Sequence, residues 1–530
     1  MKLVEALLTT SGERVNAIAA FYGISTSSGT PGGKCGTRED IIQKISAHLL
    51  VPANTLVAMN GLNDEEILAL RLITLAAGGG GVVVEQCHQR LNQISRKWRR
   101  NGFKVIEALL SRGLVFTRRE GYRQVYFVPS DLREVLARFF LDDIFKKAAL
   151  QPERFSPRNR VDYAAPLRHL CLFLSYLRKN EVRVTQTGTM FKKAQADLAS
   201  LIEEEDSTVE DTFFSVRYPP RMAFLLYFAK SRSLCDERNG LLRLGSKVTA
   251  LMESPYSSWR QELFDYWRQN FISQDTDLQT MLWIIMHSPE DSVLSLSALL
   301  SEMETLSTNH SSHGLTLRVE KNLVDILEYL GALQVSPVRN DILVKATKLG
   351  RALCGLCEWP EETYDRDIYV QSNFEILVPC TIEPRILWSI DAFAELLKPD
   401  QMMIYRLSRN SVYRALLHGY TPETIEAFLE RHSKTPVPQN IIYSISHWGT
   451  SYGRIEFEDA ILLKCDTEEL ADELFLSPKI RPHLKKKVGP CYLVVDRDSY
   501  DALLAALSEE GYMPKINAAS KLSPETAGQA

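Results

Sequence analysis

No stretch of this 530-residue chain holds the run of about 20 apolar residues that a membrane-crossing helix needs. Nor does a basic start lead into an apolar run and a small-residue cleavage site, because Met1 to Thr10 reads as the opening of an amphipathic helix. A cytoplasmic protein with no membrane partner is the expectation. An excess of one charge is lacking too: 62 Lys and Arg stand against 66 Asp and Glu, a formal net charge of −4. Any surface for a polyanion must therefore be local. Cysteine is sparse, with nine residues, an odd number, scattered through apolar stretches. That pattern suits reduced structural thiols rather than a disulfide framework.

Complete catalytic constellations are missing as well. Gly32, Gly33 and Lys34 imitate a phosphate loop, but Cys35 follows where a magnesium-binding hydroxyl belongs and Ser28 stands where the first glycine belongs. The segment also follows a helix rather than a strand. Gly449, Thr450, Ser451, Tyr452 and Gly453 spell the string of a nucleophile elbow. The elbow needs strand then helix, whereas here a helix over Asn440 to Trp448 comes first and a strand over Arg454 to Cys465 follows. Cys354 and Cys357 have ligand spacing without a second pair to complete a zinc site, and at helical spacing they read as core thiols. The ten histidines form no metal or acid/base motif. The expectation is a non-enzyme with no cofactor and no metal.

What is present is a succession of small units, since a chain of this length divides into about three to four domains. Residues 1–60 read as a small helical lobe: a helix over Arg14 to Tyr22, a glycine-rich turn over Ser25 to Gly36, and a helix over Arg38 to Leu50. Its "IAAFYGI" and "REDIIQKISAHLL" segments resemble the two helices of SAP-type DNA-binding folds. Residues 61–150 carry three helical patterns, Asp64 to Ala77, Val83 to Asn92 and Lys97 to Ser111, before "GLVFTRR" and "RQVYFVP" flank Glu120 and Gly121. Three helices and a hairpin closed at glycine predict a winged helix.

Residues 151–290 repeat this logic over Pro166 to Lys247, where "GLLRLGSKVTALM" reads as strand into helix. The aromatic stretch Trp259 to Phe271 follows as a helix between units. Residues 291–364 form a third winged helix, with "LVDILEYLGALQV" as its long helix and "ILVKATKLGRALC" as its closing strand and helix. From 365 to 516 strands and helices alternate. The strands are "YVQSNFEILVP", "QMMIYRLS", "RIEFEDAILLKC" and "CYLVVD"; among the helices, Pro384 to Leu397 is the first. The polar tail 517–530 is expected to be disordered. The fold class is multidomain and mainly α, with winged-helix units and a C-terminal α/β (α+β) domain.

The sharpest functional signal is charge. Leu70 to Pro129 holds eleven Lys and Arg against three Glu, so +8 is concentrated in this segment of a chain whose net charge is −4. Arg96, Lys97, Arg99, Arg100 and Lys104 fall at the start of the third helix, the element that enters the major groove in this motif. Arg118, Arg119 and Arg123 fall on the wing, within reach of the flanking backbone. DNA, as duplex held by its backbone, is the expected partner, and sequence-specific readout by a transcriptional regulator is the alternative use of the same element. Arg178, Lys179, Lys192 and Lys193 make a lesser cluster in the second unit, where packing against protein is the expected role.

In the C-terminal domain, "IYRLSRNSVYRALLHGYTPETIEAFLERHSKTPVPQNIIYSISHWGTSYGRIEFEDAILLKC" follows "YVQSNFEILVP". These blocks resemble the helicase-associated domain of the XPB family. The second block is also similar to the TFIIH subunit that clamps XPB, through Arg409, Ser411, Val412, Ala415, Leu416, Gly419, Ile425, Phe428, Leu429, Pro438, Ile441, Ile445 and Trp448. The resemblance implies a scaffold that docks an XPB-type helicase or related partner in nucleotide excision repair or a comparable process. It does not imply a motor here.

Overall fold

A computed structural model describes residues 1–24, 37–75, 81–94, 98–151, 155–157, 164–202, 218–306, 314–455 and 460–516. The chain divides into two compact units, Met1–Ser446 and His447–Ala530. The architecture is mixed α+β and mainly α, with small antiparallel sheets.

The first unit opens with α1 (Leu3–Thr9), α2 (Gly12–Phe21), α3 (Arg38–Leu49) and α4 (Pro52–Asn60). Thr37 starts α3 by accepting a hydrogen bond from the Asp40 amide while the Asp40 carboxylate accepts one from Thr37, a reciprocal capping box. The glycine-rich turn of residues 25–36, with its imitation phosphate loop, lies outside the described residues.

Among the described residues, one order of elements then recurs three times: helix, strand, helix, helix, hairpin, helix. The first copy is α5 (Asp64–Leu75), β1 (Val82–Val83), α6 (Val84–Ile94), α7 (Trp98–Ser111), β2 (Phe116–Glu120), β3 (Arg123–Phe127) and α8 (Ser130–Ala148). A short β4 (Ala149–Leu150) follows. The second is α9 (Ala165–Lys179), β5 (Val182–Arg183), α10 (Lys192–Leu201), α11 (Pro220–Ser231), β6 (Cys235–Arg238), β7 (Leu241–Leu244) and α12 (Val248–Glu253). After α13 (Tyr256–Trp267) and a π-helical turn, the third runs through α14 (Thr276–Met286), β8 (Val293–Ser295) and α15 (Leu296–Leu306). Its next helix, from α16 (Leu315–Arg318) to α17 (Asp325–Tyr329), carries a π-helical turn, and β9 (Leu333–Val338), β10 (Asp341–Ala346) and α18 (Lys348–Leu353) complete the copy.

Sheet order repeats with element order. The strands lie β1-β3-β2, β5-β7-β6 and β4-β8-β10-β9, so in each copy the last hairpin strand is central. So does the entry into the hairpin. Gly113, Ser233 and Gly331 each end the preceding helix at φ 66°, 57° and 74°. In every copy that residue's amide and the next donate back into the last helical turn: Leu114 to Leu109, Leu234 to Ala229 and Ala332 to Leu327. This left-handed cap satisfies carbonyls the helix leaves open and turns the chain into the hairpin.

The first and third copies are knitted together. The β4 strand pairs with β8 through Ala149 opposite Leu294, and Arg71 reaches Glu302 at 2.5 Å. Arg133 donates to the Thr74 carbonyl and lies over the Trp283 ring at 4.7 Å. The third copy begins earlier than the pattern suggested, because α14 precedes Asp291. Cys354 and Cys357 are not the core thiols expected of helical spacing. The α18 helix stops at Leu353, Gly355 turns at positive φ, and Cys357 is exposed with its thiol donating to the Lys348 carbonyl at 3.5 Å.

The remainder of the first unit is a four-stranded antiparallel sheet, β11 (Tyr369–Val370), β12 (Glu375–Pro379), β13 (Glu395–Lys398) and β14 (Met402–Arg406), in the order β11-β12-β14-β13. The α19 helix (Pro384–Phe393) connects β12 to β13, and α20 (Arg409–Leu417), α21 (Pro422–His432) and α22 (Gln439–Thr450) follow, the last turn of α22 being counted in the second unit. The helix from Pro384 ends at Phe393 rather than Leu397. Ala394 turns extended, and Leu396 pairs with Tyr405 to add an edge strand, a tertiary pairing that overrides local helix preference.

The second unit contains β15 (Ile461–Lys464), α23 (Glu468–Leu476), β16 (Leu484–Gly489), β17 (Tyr492–Val495) and α24 (Tyr500–Glu509), with sheet order β15-β17-β16. Leu474, Leu484, Leu493, Leu503 and Leu507 lie in its core.

Candidate nucleic-acid interface

The first repeat positions its hairpin against its third helix. Chain entering β1 crosses β3 so closely that a Cβ on Gly81 would stand 2.6 Å from the Tyr126 carbonyl oxygen. Gly81 also has φ +90°, a conformation that strains any other residue, so glycine alone fits there. The crossing registers Val82 with Tyr126 and Val83 with Val125. The α7 helix buries Val105, Ile106, Leu109 and Leu110, which leaves Phe103, Lys104 and Glu107 facing outward.

Charge on this outward surface is sorted by the fold. Glu107 is engaged by Arg14 of α2 at 2.6 Å, so the acidic residue beside Lys104 is neutralised by the N-terminal lobe. Arg112 donates to the Ala58 and Gly61 carbonyls and stacks over Phe21, and so binds that lobe to α7. Arg118 donates through Nε to Glu120 at 2.7 Å and lies over the Phe127 ring at 5.0 Å. Its charge is turned toward the hairpin itself. Lys104, Arg119 and Arg123 are exposed.

Strand alternation separates the two hairpin faces. Phe116, Arg118, Glu120, Arg123, Val125 and Phe127 share one side, core-facing along its apolar part, while Thr117, Arg119, Gln124 and Tyr126 share the other, so Arg119 and Arg123 lie on opposite faces near the tip. Over that second face, the Tyr126 hydroxyl lies 3.2 Å from His88 Nε2, and the His88 ring stacks on Phe103 with centroids 6.1 Å apart. Burial holds the His88 pKa below its ordinary value, so the imidazole is neutral near pH 7. At the hairpin tip Gly121 turns at φ 59°, and Tyr122 is fully exposed.

Of the residues singled out from sequence, Arg96 and Lys97 lie outside the described residues, and Arg99 and Arg100 fall in the first turn of α7. The fold brings Lys104 on α7, and Arg118, Arg119 and Arg123 on the hairpin, into one repeat, with Arg118 in a structural contact. Sequence reasoning missed Phe103 and Tyr122, the two exposed aromatics. The signal was available: Phe103 falls outside the apolar stripe of Val105, Ile106 and Leu109, and Tyr122 sits next to the turn glycine.

In the second repeat Arg178 and Lys179 approach Asp391 of α19 at 3.9 and 2.7 Å, while Lys192 and Lys193 are exposed. Among the described residues, no group of three or more His, Cys, Asp or Glu could hold a metal ion, and no helix is long and apolar enough to cross a membrane.

Residues 368–488 match the family described as the helicase conserved C-terminal domain. This stretch is a helicase-associated C-terminal domain. It reaches from the start of β11 into β16 and leaves out all three repeats. No curated protein matches the chain.

Proposed function

We propose that this chain is a non-catalytic, DNA-binding scaffold that docks an XPB-type helicase or related partner, in DNA repair of the nucleotide-excision kind. The three repeats are read as winged helices. In that motif the third helix enters the major groove and the wing reaches the backbone beside it. The observation that carries the reading is that Lys104 on α7 and Arg119 and Arg123 on the hairpin of the same repeat are all exposed, while neighbouring Glu107 is engaged by Arg14. Docking is supported by the helicase-associated match over residues 368–488 together with the resemblance carried by Arg409 to Trp448.

The test is fluorescence anisotropy of the full chain with labelled duplexes of unrelated sequence over a range of salt. The scaffold reading expects sequence-tolerant binding that weakens steeply with salt, and a loss of roughly tenfold or more on exchanging Lys104, Arg119 and Arg123 for Glu. Unchanged duplex affinity in that triple variant would remove the reading. Tight binding to one short site that survives raised salt would instead make the chain a transcriptional regulator. The non-catalytic assignment expects no DNA-stimulated ATP hydrolysis by the purified chain, and turnover would overturn it.

A further inference from the structure

Two large aromatic side chains stand in solvent within the basic surface of the first repeat: Phe103 is 88% exposed and Tyr122 102% exposed. Tyr122 occupies the two-residue turn between β2 and β3, with Arg123 beside it and Arg119 three residues before. Among the described residues, no hydrogen bond or ring contact accounts for it. The fold does not need this ring. Its removal would leave no cavity and no unpaired buried group.

Continuous duplex offers such a ring little. Base faces inside the stack are covered by their neighbours, and the outside presents phosphate, sugar and groove edges. Where strands separate, the last paired base and the first unpaired base show a π-face, with phosphates still at hand. A tyrosine at a hairpin tip with one arginine on each face suits that combination: the guanidinium groups take backbone on either side and the ring stacks on the base. Phe103 supplies a second surface farther along. From Tyr122 back to Tyr126, near which Phe103 and His88 stack, the strand covers about 13 Å, the length of roughly four stacked nucleotides.

We propose that this surface recognises DNA at a fork, where duplex meets single strand, with Tyr122 stacking on an exposed base at the junction and Arg119 and Arg123 holding the adjoining phosphates. This deepens the DNA-binding reading above and rests on it.

The experiment compares three labelled DNAs with the full chain: a dumbbell duplex closed at both ends by non-nucleotide linkers that leave no unpaired base, the same duplex carrying a fork, and a single strand. A 2-aminopurine is placed at the first unpaired position of the fork. The unmodified chain is expected to prefer the fork to the dumbbell by roughly fivefold or more, the lower end of what one base–aromatic stack is worth, and to quench the 2-aminopurine. Tyr122→Ala is expected to abolish both the preference and the quenching while leaving dumbbell affinity unchanged, and Tyr122→Phe to retain them. An equal loss on fork and dumbbell in Tyr122→Ala, or an undiminished fork preference, would overturn the junction assignment and leave general DNA binding standing. If no DNA binds, or if Arg119→Glu with Arg123→Glu changes no affinity, the DNA-binding reading itself fails.

Discussion

Lys179 Nζ lies 2.7 Å from Asp391 Oδ2, and the Asp391 side chain is 5% exposed. The pair joins the last turn of α9, in the second repeat, to α19, inside the stretch that matches the helicase-associated family. Around it Lys179 also donates to the Ala394 carbonyl at 3.2 Å, and Arg178 donates to the Trp388 carbonyl while stacking on that ring. One carboxylate thus faces two cations in a nearly dry seam. Removing it strands both.

Asp391→Ala is therefore expected to destabilise the first unit by about 3–5 kcal/mol, the usual consequence of leaving buried charge without its partner. Urea unfolding followed by tryptophan fluorescence measures this. Replacing Asp391 and Lys179 together with Leu and Met is expected to recover only part of the loss, because the apolar pair carries no desolvation cost but Arg178 stays without its carboxylate. A single variant that unfolds at the unmodified midpoint would show that the seam does not depend on this charge.

The recurring helix cap gives a prediction of the opposite sign. Ser233 adopts φ 57° where the first and third repeats place glycine, and it is exposed, so nothing about packing requires serine. A side chain in this conformation costs about 1–2 kcal/mol, while glycine adds back some entropy to the unfolded chain. Ser233→Gly is expected to raise stability by roughly 0.5–1 kcal/mol. The check is a shift of the urea midpoint to higher concentration with an unchanged slope. Gly331→Ser should move the midpoint the other way.

Much of the first repeat was legible because its apolar period changes from helix-like to alternating near Gly113, and Glu120 with Gly121 marks the turn. The later repeats were legible in outline. Their missing pieces have physical reasons. The "TDLQTMLWIIM" of α14 is apolar on nearly every face, which removes the periodicity that marks a surface helix. The β16 strand begins "LKKKVG", a charged run that reads as loop until Lys487 meets Asp472 at 2.5 Å across the second unit. At the candidate interface the concentration of cations was plain, but its division was not. Arg14 and Glu107 are 93 positions apart, and no local pattern announces that contact. Arg118 and Arg119 were separable in principle, since only Arg118 lies in register with Phe116 and Phe127.

That division sets how salt should act. Each phosphate contact made by Lys104, Arg119 or Arg123 contributes about 0.9 to the slope of log affinity against log salt on duplex. Single Ala substitutions at these positions are expected to reduce the slope by roughly that amount each. Arg118→Ala is expected to leave it nearly unchanged and to show its effect in stability, through the lost Glu120 pair and Phe127 stack. Equal slope changes at Arg118 and Arg119 would contradict the sorting of charge described for the hairpin.

A buried histidine makes stability depend on pH in a defined window. His169 is 2% exposed in α9, its Nδ1 is 3.3 Å from the Tyr329 hydroxyl, and its ring stacks on Tyr329 at 5.8 Å. Burial first, then the charges of Arg168 and Arg221, keep its pKa well below the ordinary 6.5. The folded chain therefore excludes a proton that the unfolded chain accepts below pH 6.5. Linkage fixes the sign: the contribution is complete above pH 6.5 and is lost as pH falls through the window beneath it, by up to about 1.4 kcal/mol per pH unit. His88 and His287, also lowered first by burial, add in the same direction. His169→Phe keeps an aromatic ring beside Tyr329 and removes the titrating group, so its unfolding free energy should fall less steeply between pH 6.5 and 5 than that of the unmodified chain. Carboxylates protonate mainly below that range and leave the comparison clear. Parallel pH profiles for the two chains would mean that His169 takes up its proton without unfolding α9.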